Sequence, residues 1–122
     1  MHTSSNQSIG SYGEQQATDY LIKSGFQILH RNYRTKYGEL DIVAKKLSKI
    51  HFIEVKTRMG LSAGQPYESV TPTKVRHLRF AMTAYIQQFH LQNYMLSFDV
   101  ISLVLTPEGS VSELKFFEAV DF

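Results

Sequence analysis

The alternation of apolar and polar positions along the chain predicts an order of helices and strands. Apolar residues that recur every three or four positions predict two helices, one from Ser11 to a stop at Gly25 and one after Thr71. Stretches rich in branched and aromatic residues predict five strands, at 26–33, 39–44, 50–57, 94–105 and 113–117. The order α-β-β-β-α-β-β, with its short polar turns, predicts an α/β domain with a central mixed sheet flanked by helices.

Capping signals indicate where both helices begin. Ser11 followed by Glu14 has the spacing of a capping box, in which the glutamate carboxylate bonds the N-cap amide. Thr71 followed by Pro72 is a second N-cap signal, because proline suits the first helical position. Residues 1–10 lack apolar periodicity and are expected to form a flexible N-terminus, which leaves residues 11–122 as a single domain.

Composition narrows the chemistry that the chain can perform. It contains no cysteine, which excludes disulfide scaffolds, zinc–thiolate sites, iron–sulfur clusters and thiol nucleophiles. No apolar run approaches the roughly 18 residues of a membrane span, and the polar start of the chain lacks the pattern of a secretory signal. We therefore expect a cytoplasmic domain with no membrane partner.

The net charge of +2 conceals a segregation of charge along the chain. Residues 31–80 contain eleven basic and four acidic residues, a surplus of +7, whereas residues 81–122 carry a net charge of −4. Such segregation indicates either a basic face for a polyanion or two solvated surfaces of opposite sign. Charge alone does not choose between them.

Two acidic residues in the second and third predicted strands occupy positions that face each other. If the hairpin folds symmetrically about Leu47 and Ser48, paired residue numbers sum to 95, which places Asp41 opposite Glu54. Their Cβ atoms would lie about 5 Å apart, and two carboxylates at that distance repel each other unless a cation lies between them. Their oxygens, with the backbone carbonyl of Val55 nearby, would form a hard oxygen site suited to Mg²⁺.

Lys56 lies on the same face of its strand as Glu54, two residues further along. A lysine in this position could orient a water molecule at the metal or neutralise charge that develops on a phosphate. The structural alternative is a cross-strand ion-pair ladder in which Lys56 only balances the two acids. The spacing of the residues leaves both interpretations open.

These residues belong to a wider pattern. Asp41, twelve intervening residues and then Glu54-Val55-Lys56 are similar to the PD-(D/E)XK nuclease signature, without the proline before the aspartate. The other positions of the pattern are Gly13-Glu14, Ala17, Tyr20-Leu21, Gly25, Asn32-Tyr33-Arg34, Gly38-Glu39-Leu40, Phe52-Ile53, Thr57-Arg58, Gly64-Gln65-Pro66, Lys74, Ala81, Ala84-Tyr85 and Phe98-Asp99-Val100. Over about residues 10–101 the chain resembles the bacterial YraN family of small proteins, which is similar to archaeal Holliday-junction resolvases.

The resemblance implies a restriction-endonuclease-like fold, metal ligation by Asp41 and Glu54, and a catalytic role for Lys56. It also implies that Glu14 reaches the same site from the first helix. The capping box is the alternative role for Glu14, and the two roles are compatible. Relatives usually have arginine where this chain has Ser97, so the resemblance gives no basis for a phosphate contact there.

Three basic residues are candidates for contacts with a nucleic-acid backbone. Arg34 and Arg58 lie near the carboxylates in sequence, and phosphate contacts by such residues position a nucleic acid without reading its bases. Lys74 matches the family pattern and lies in the first turn of the second helix, where a cation is unfavourable against the helix dipole. For Arg76, on the same helix, we favour a solvated surface role.

Together, the residues and the resemblance predict an endonuclease that uses Mg²⁺ or Mn²⁺ to hydrolyse phosphodiester bonds in a nucleic acid. DNA is favoured over RNA, and branched or structured DNA is one candidate substrate. Relatives that cut junctions act as symmetric dimers, so a homodimer is a further expectation. The alternative is a non-catalytic module that retains the nuclease fold and binds a nucleic acid or a protein.

Overall fold

The computed structural model describes residues 6–60 and 71–121, which form two helices and five strands. In chain order these are α1 (Asn6–Lys23), β1 (Gln27–Thr35), β2 (Gly38–Lys46), β3 (Lys49–Met59), α2 (Pro72–Gln88), β4 (Met95–Leu105) and β5 (Val111–Phe117). The order is the one predicted from the sequence, so the α/β class is confirmed. Neither helix is long and apolar enough to cross a membrane.

The five strands form one sheet in the order β1-β2-β3-β4-β5. Strands β1 to β3 pair antiparallel, as do β4 and β5, whereas β3 and β4 run parallel along their whole length. Because parallel neighbours need a long crossover, α2 lies between β3 and β4 in the chain. The sheet is therefore mixed, as predicted, and the arrangement is consistent with a restriction-endonuclease-like fold.

Each face of the sheet is covered by one helix. On one face Leu21 of α1 packs in a buried cluster with Ile53 of β3. On the opposite face Tyr85 of α2 packs in a second cluster with Phe52. Since Phe52 and Ile53 are neighbours in the same strand, they project to opposite faces, and both faces of the central sheet are buried.

The start of α1 differs from the sequence prediction. The helix begins at Asn6, five residues before Ser11, so Ser11 lies inside the helix and the predicted capping box with Glu14 is wrong. Residues 6–10 contain no proline, and a polar segment can extend a helix whose later turns are held by packing against a sheet. Residues 1–5 of the predicted flexible N-terminus lie outside the described residues.

The start of α2 agrees with the prediction. The side-chain oxygen of Thr71 accepts a hydrogen bond from the N–H of Lys74 at 3.2 Å, and Pro72 is the first helical residue. Strand β3 extends beyond its predicted end, so Arg58 lies in a strand. The motif residues 64–66 lie outside the described residues.

Candidate functional site

Strands β2 and β3 pair near their connecting turn and then part. All their paired residue numbers sum to 95, so the predicted symmetric register is confirmed where the strands pair. The last pair is Ile42 opposite Ile53, so the predicted direct pairing of Asp41 with Glu54 is wrong, because the strands part before it. Beyond this pair β2 remains bonded to β1, while β3 remains bonded to β4. We call the resulting opening the fork. Residues 38–41 form one arm of the fork and residues 54–59 form the other.

Asp41 lies at the base of the fork, directly after the last paired residue. Residues two apart in a strand normally share a face, yet Ile42 belongs to the same cluster as α1, while Leu40 packs with Val43 in the cluster on the α2 side. This break in alternation turns the chain at Asp41. Its Oδ2 atom accepts a hydrogen bond from the N–H of Val55 at 2.9 Å, so the side chain bridges the two arms.

The charge at the base of the fork is unbalanced. Burial, with repulsion from Glu54 and Glu14, raises the pKa of Asp41 to about 8, although the bond from the Val55 N–H favours the charged form. A carboxyl with this pKa keeps its proton at neutral pH unless a cation replaces it. The group therefore has the electrostatic character of a cation site, and ligation by Asp41, Glu54 and the Val55 carbonyl stays a prediction.

Glu14 reaches the fork because α1 approaches β3 closely at Gly13. A Cβ atom at Gly13 would lie 1.9 Å from the side-chain oxygen of Thr57, so this approach requires glycine. Burial raises the pKa of Glu14, a hydrogen bond from the Asn32 side chain opposes the rise, and the charges of Glu39 and Glu54 add to it. The structure thus brings together all three acidic residues of the predicted site. The partner Asn32 was part of the family pattern, but its role was not deduced from the sequence.

Lys56 lies beside the acidic group and lines a cavity on the α2 side of the sheet. Its Nζ atom is 3.3 Å from Glu54 Oε2, and both side chains are largely buried. The cavity has a volume of about 200 Å³, enough for several water molecules. Its lining comes from the β1–β2 turn, from the start of β2, from β3 and from α2. These residues are Tyr37, Gly38, Glu39, Glu54, Lys56, Lys74, His77 and Leu78.

The three predicted backbone-binding residues occupy different positions around the cavity. Lys74 lies in its wall, across from Lys56. Arg34 is exposed near the rim, where its Nε atom is 3.1 Å from Glu39 Oε2. Arg58 is half-buried in β3, outside the cavity lining. Lys74 and Arg34 are therefore brought to the site, and Arg58 lies two residues beyond Lys56 on the same strand.

Tyr37 and His77 line the cavity but were not singled out by sequence reasoning. His77 is isolated in the sequence and matches no metal-ligand spacing. Its position three residues after Lys74 was a usable signal, because residues three apart share one face of a helix. Tyr37 lies in the turn between two strands, where the hydrophobic pattern that predicts strands carries no information.

A second polar group lies at the other end of β3. His51 Nδ1 is 2.6 Å from Asp99 Oδ2, while Asp99 Oδ1 accepts hydrogen bonds from the Ser97 hydroxyl at 2.5 Å and from the Ala119 N–H at 3.0 Å. With the exposed Glu118, His51 and Asp99 form a group that could hold a metal ion, since one ligand atom from each lies within 4.8 Å of the others. Both oxygens of Asp99 already have protein partners, which accounts for its complete burial without a metal.

Comparison with known proteins relates the sequence of this chain to one family. Residues 13–103 match the sequence profile described as uncharacterised protein family UPF0102. A UPF0102 protein of Caldicellulosiruptor saccharolyticus is 41% identical over 88% of this chain and 91% of its own length. One from Clostridium perfringens is 42% identical over 93% of both chains, and one from Trichlorobacter lovleyi is 45% identical over 86% and 83%. The matched region includes both arms of the fork, all three acidic residues and Lys74.

Proposed function

The chain belongs to the UPF0102 family, the YraN family, and on that premise we propose that it is a metal-dependent endonuclease that hydrolyses phosphodiester bonds in DNA. The observation that carries the proposal is the group of three carboxyls at the base of the fork, beside a lysine and an open cavity. Acidic residues that repel one another are retained in a fold at a cost in stability, which a cation would offset.

The donor set fits a hard divalent cation. Asp41 and Glu54 would hold Mg²⁺ or Mn²⁺, Glu14 would complete the set, and the Val55 carbonyl is a further candidate ligand. When bound, such a cation favours deprotonation of water and neutralises charge on a phosphate. Oxygen ligands alone, with no cysteine in the chain, favour these hard cations over softer metals.

Lys56 is the residue that we assign to the reaction itself. Its ammonium group lies at the wall of the cavity, where it can orient an attacking water molecule and stabilise negative charge as it grows on the phosphate. Lys74 faces the same space and would hold a neighbouring phosphate. Arg34 at the rim and Arg58 along β3 would contact further phosphates. Such contacts recognise the backbone of the nucleic acid rather than its base sequence. A cytoplasmic location and a homodimer complete the proposal.

A panel of DNA substrates tests the activity. The protein is incubated with five kinds of DNA: flapped, Y-shaped, four-way junction, single-stranded and blunt duplex. Each is tested in Mn²⁺, in Mg²⁺ and in EDTA. We expect cleavage of at least one branched substrate in the presence of metal, none in EDTA, and none by Asp41→Asn. The matched control is Asp19→Asn, which changes an exposed aspartate of α1 and should leave cleavage intact.

Direct metal binding separates the proposal from its rival. If Mn²⁺ binds to the wild-type chain and Asp41→Asn abolishes this binding, the site exists whether or not a substrate has been found. If neither metal binds and no substrate is cut, the chain is instead a non-catalytic module that retains the nuclease fold, and the proposal is wrong.

A further inference from the structure

Two aromatic rings lie stacked and exposed beside the cavity. Tyr37, in the β1–β2 turn, and Phe80, on α2, have ring centres 4.8 Å apart and planes inclined by 29°. Tyr37 is 40% exposed and Phe80 is 47% exposed, and neither belongs to the two buried clusters. An exposed stacked pair presents flat aromatic surface to solvent. Packing of the core does not explain why two aromatic rings lie at this position.

Another aromatic pair on the surface shows the contrast. Tyr20 of α1 and Phe116 of β5 meet edge to face, with ring centres 6.0 Å apart and an interplanar angle of 78°. Phe116 packs against the buried cluster under α1, so this pair is an extension of the core. Among the described residues, 6–60 and 71–121, neither Tyr37 nor Phe80 belongs to a buried cluster, and Tyr37 also lines the cavity.

The charges around the stacked pair indicate what would cover it. Lys36 Nζ lies 5.2 Å from the centre of the Tyr37 ring. Lys74 lines the adjoining cavity from the helix that carries Phe80, and Lys56 lines it from β3, beside the acids Glu39 and Glu54. Flat rings beside cationic groups are the combination with which proteins bind single-stranded nucleic acid, where bases stack on aromatic side chains and the backbone follows the positive charge.

Base pairing further restricts which nucleic acid could stack on these two rings. In a duplex the base faces are covered by their neighbours, so a ring on the protein surface can stack only on a base that is unpaired or displaced. We infer that Tyr37 and Phe80 form a platform for an unpaired base next to the scissile phosphate, and that the substrate is DNA with unpaired nucleotides at the cleavage position. This inference rests on the proposed function and specifies its substrate.

Binding measurements without metal test the platform independently of turnover. In EDTA, fluorescence anisotropy compares a labelled single strand of about a dozen nucleotides with an abasic strand of equal length and charge. We expect the wild-type chain to bind the base-bearing strand at least about fivefold more tightly, which corresponds to the lower end of stacking on one base. Tyr37→Leu and Phe80→Leu should each reduce this preference while affinity for the abasic strand stays the same.

Two control variants keep the result interpretable. Tyr20→Leu alters the surface pair that lies outside the cavity and should leave the preference unchanged. Tyr37→Phe keeps the ring and should retain the preference, which separates stacking from a hydrogen bond of the hydroxyl. If Tyr37→Leu melts well below the wild type, Phe80→Leu, whose site lies on the exposed face of α2, carries the comparison.

The outcomes separate this inference from the proposed function. Equal affinity for base-bearing and abasic strands, or an unchanged preference in Phe80→Leu, overturns the platform even if the protein cleaves DNA. Tighter binding of the base-bearing strand that depends on both rings supports the platform even if no cleavage is found. In that case only the proposed endonuclease activity is wrong.

Discussion

At the scale of single residues, the carboxyl of Asp41 links stability to pH. Burial beside two other acids raises its pKa from an ordinary value of 3.8 to about 8. Between these two values the folded chain binds more protons at Asp41 than the unfolded chain, so this group makes the free energy of unfolding fall as pH rises from about 4 to about 8. The stabilisation by the neutral carboxyl is complete at the acid end and lost as pH passes the folded pKa.

We expect Asp41→Asn to remove this dependence. In EDTA at pH 8 the variant should be more stable than the wild type by at least about 1.4 kcal/mol, the equivalent of one pKa unit. Melting curves at pH 5, 6, 7 and 8 measure the difference, with the exposed-site variant Asp19→Asn as the control. A difference between Asp41→Asn and wild type that does not grow with pH would contradict the raised pKa.

The same proton should compete with the cation. Because a metal ligand must be deprotonated, affinity for Mg²⁺ or Mn²⁺ should increase with pH up to about 8, and binding at pH 7 should release a proton. Titration calorimetry in two buffers of different ionisation enthalpy counts the protons released. Binding without proton release at pH 7 would mean that Asp41 is not among the ligands.

Lys56 allows a test of catalytic against structural roles. With metal bound, the charge of the acids is already compensated, so Lys56→Met should suppress cleavage while metal binding and melting temperature stay nearly the same. If Lys56 is instead one half of a structural ion pair with Glu54, its loss should cost about 3–5 kcal/mol even in Mg²⁺. Melting curves in Mg²⁺ and a nuclease assay on the same samples decide between the two.

The chain offers a matched control for this substitution. Glu113 and Lys115 form a similar pair two residues apart on β5, with Nζ and Oε2 3.5 Å apart, but their side chains are 40% and 51% exposed. Lys115→Met removes the same group from a pair of the same spacing outside the cavity. It should change neither cleavage nor melting temperature appreciably.

At the scale of elements, the contact between α1 and β3 positions Glu14. Gly13→Ala would force its new methyl group against Thr57, and overpacking of this kind typically costs about 1–3 kcal/mol. The helix can relieve the clash only by moving away from the strand, which also withdraws Glu14 from the fork. We therefore expect lower stability and weaker metal binding together, measured by melting and by calorimetry.

Gly10 provides the control in the same helix. A Cβ atom there meets nothing within 4 Å, so Gly10→Ala should stabilise the helix by up to about 1 kcal/mol through helix propensity alone. Equal effects of the two substitutions would show that the close approach at Gly13 does not position α1.

Local patterns predicted the elements that depend on local physics. A symmetric turn was sufficient to predict the register in which paired residue numbers sum to 95, and Thr71 caps its helix as its side chain suggests. It did not predict that the strands part before the pair Asp41–Glu54. The capping box at Ser11 was wrong because packing of α1 on the sheet, rather than a local hydrogen bond, holds that segment helical. A cap signal specifies a helix start only where tertiary contacts do not extend the helix.

At the scale of the whole molecule, the site is built from residues on both faces of the sheet. Helix α1 contributes Glu14 from one face, and α2 contributes Lys74 and His77 from the other, while Asp41 and Glu54 lie where β2 and β3 part. No sequence interval contains this arrangement, since the contributing segments are separated by tens of residues. The sequence predicted the acids of β2 and β3, which a single hairpin aligns, and the family pattern singled out Lys74 of α2. It did not predict that His77 of α2 and Tyr37 of the β1–β2 turn line the same cavity.

The basic surplus of residues 31–80 should make DNA binding depend strongly on salt. Each phosphate contact releases a counterion from the DNA, so the logarithm of affinity should fall linearly with the logarithm of salt concentration. Arg34→Ala and Arg58→Ala together should lower the slope by about 2 and weaken binding to a similar extent on unrelated sequences. Anisotropy titrations in EDTA between about 50 and 200 mM salt measure both quantities.

A charge-matched variant separates specific contacts from net charge. Lys23→Ala with Arg76→Ala also removes two positive charges, from exposed positions of α1 and α2 outside the cavity lining. If Arg34 and Arg58 contact phosphates and Lys23 and Arg76 do not, this variant should retain nearly the wild-type slope, because only a charge that neutralises a phosphate releases a counterion. Equal slopes for the two double variants would mean that the whole surface attracts DNA and that Arg34 and Arg58 have no special position on it.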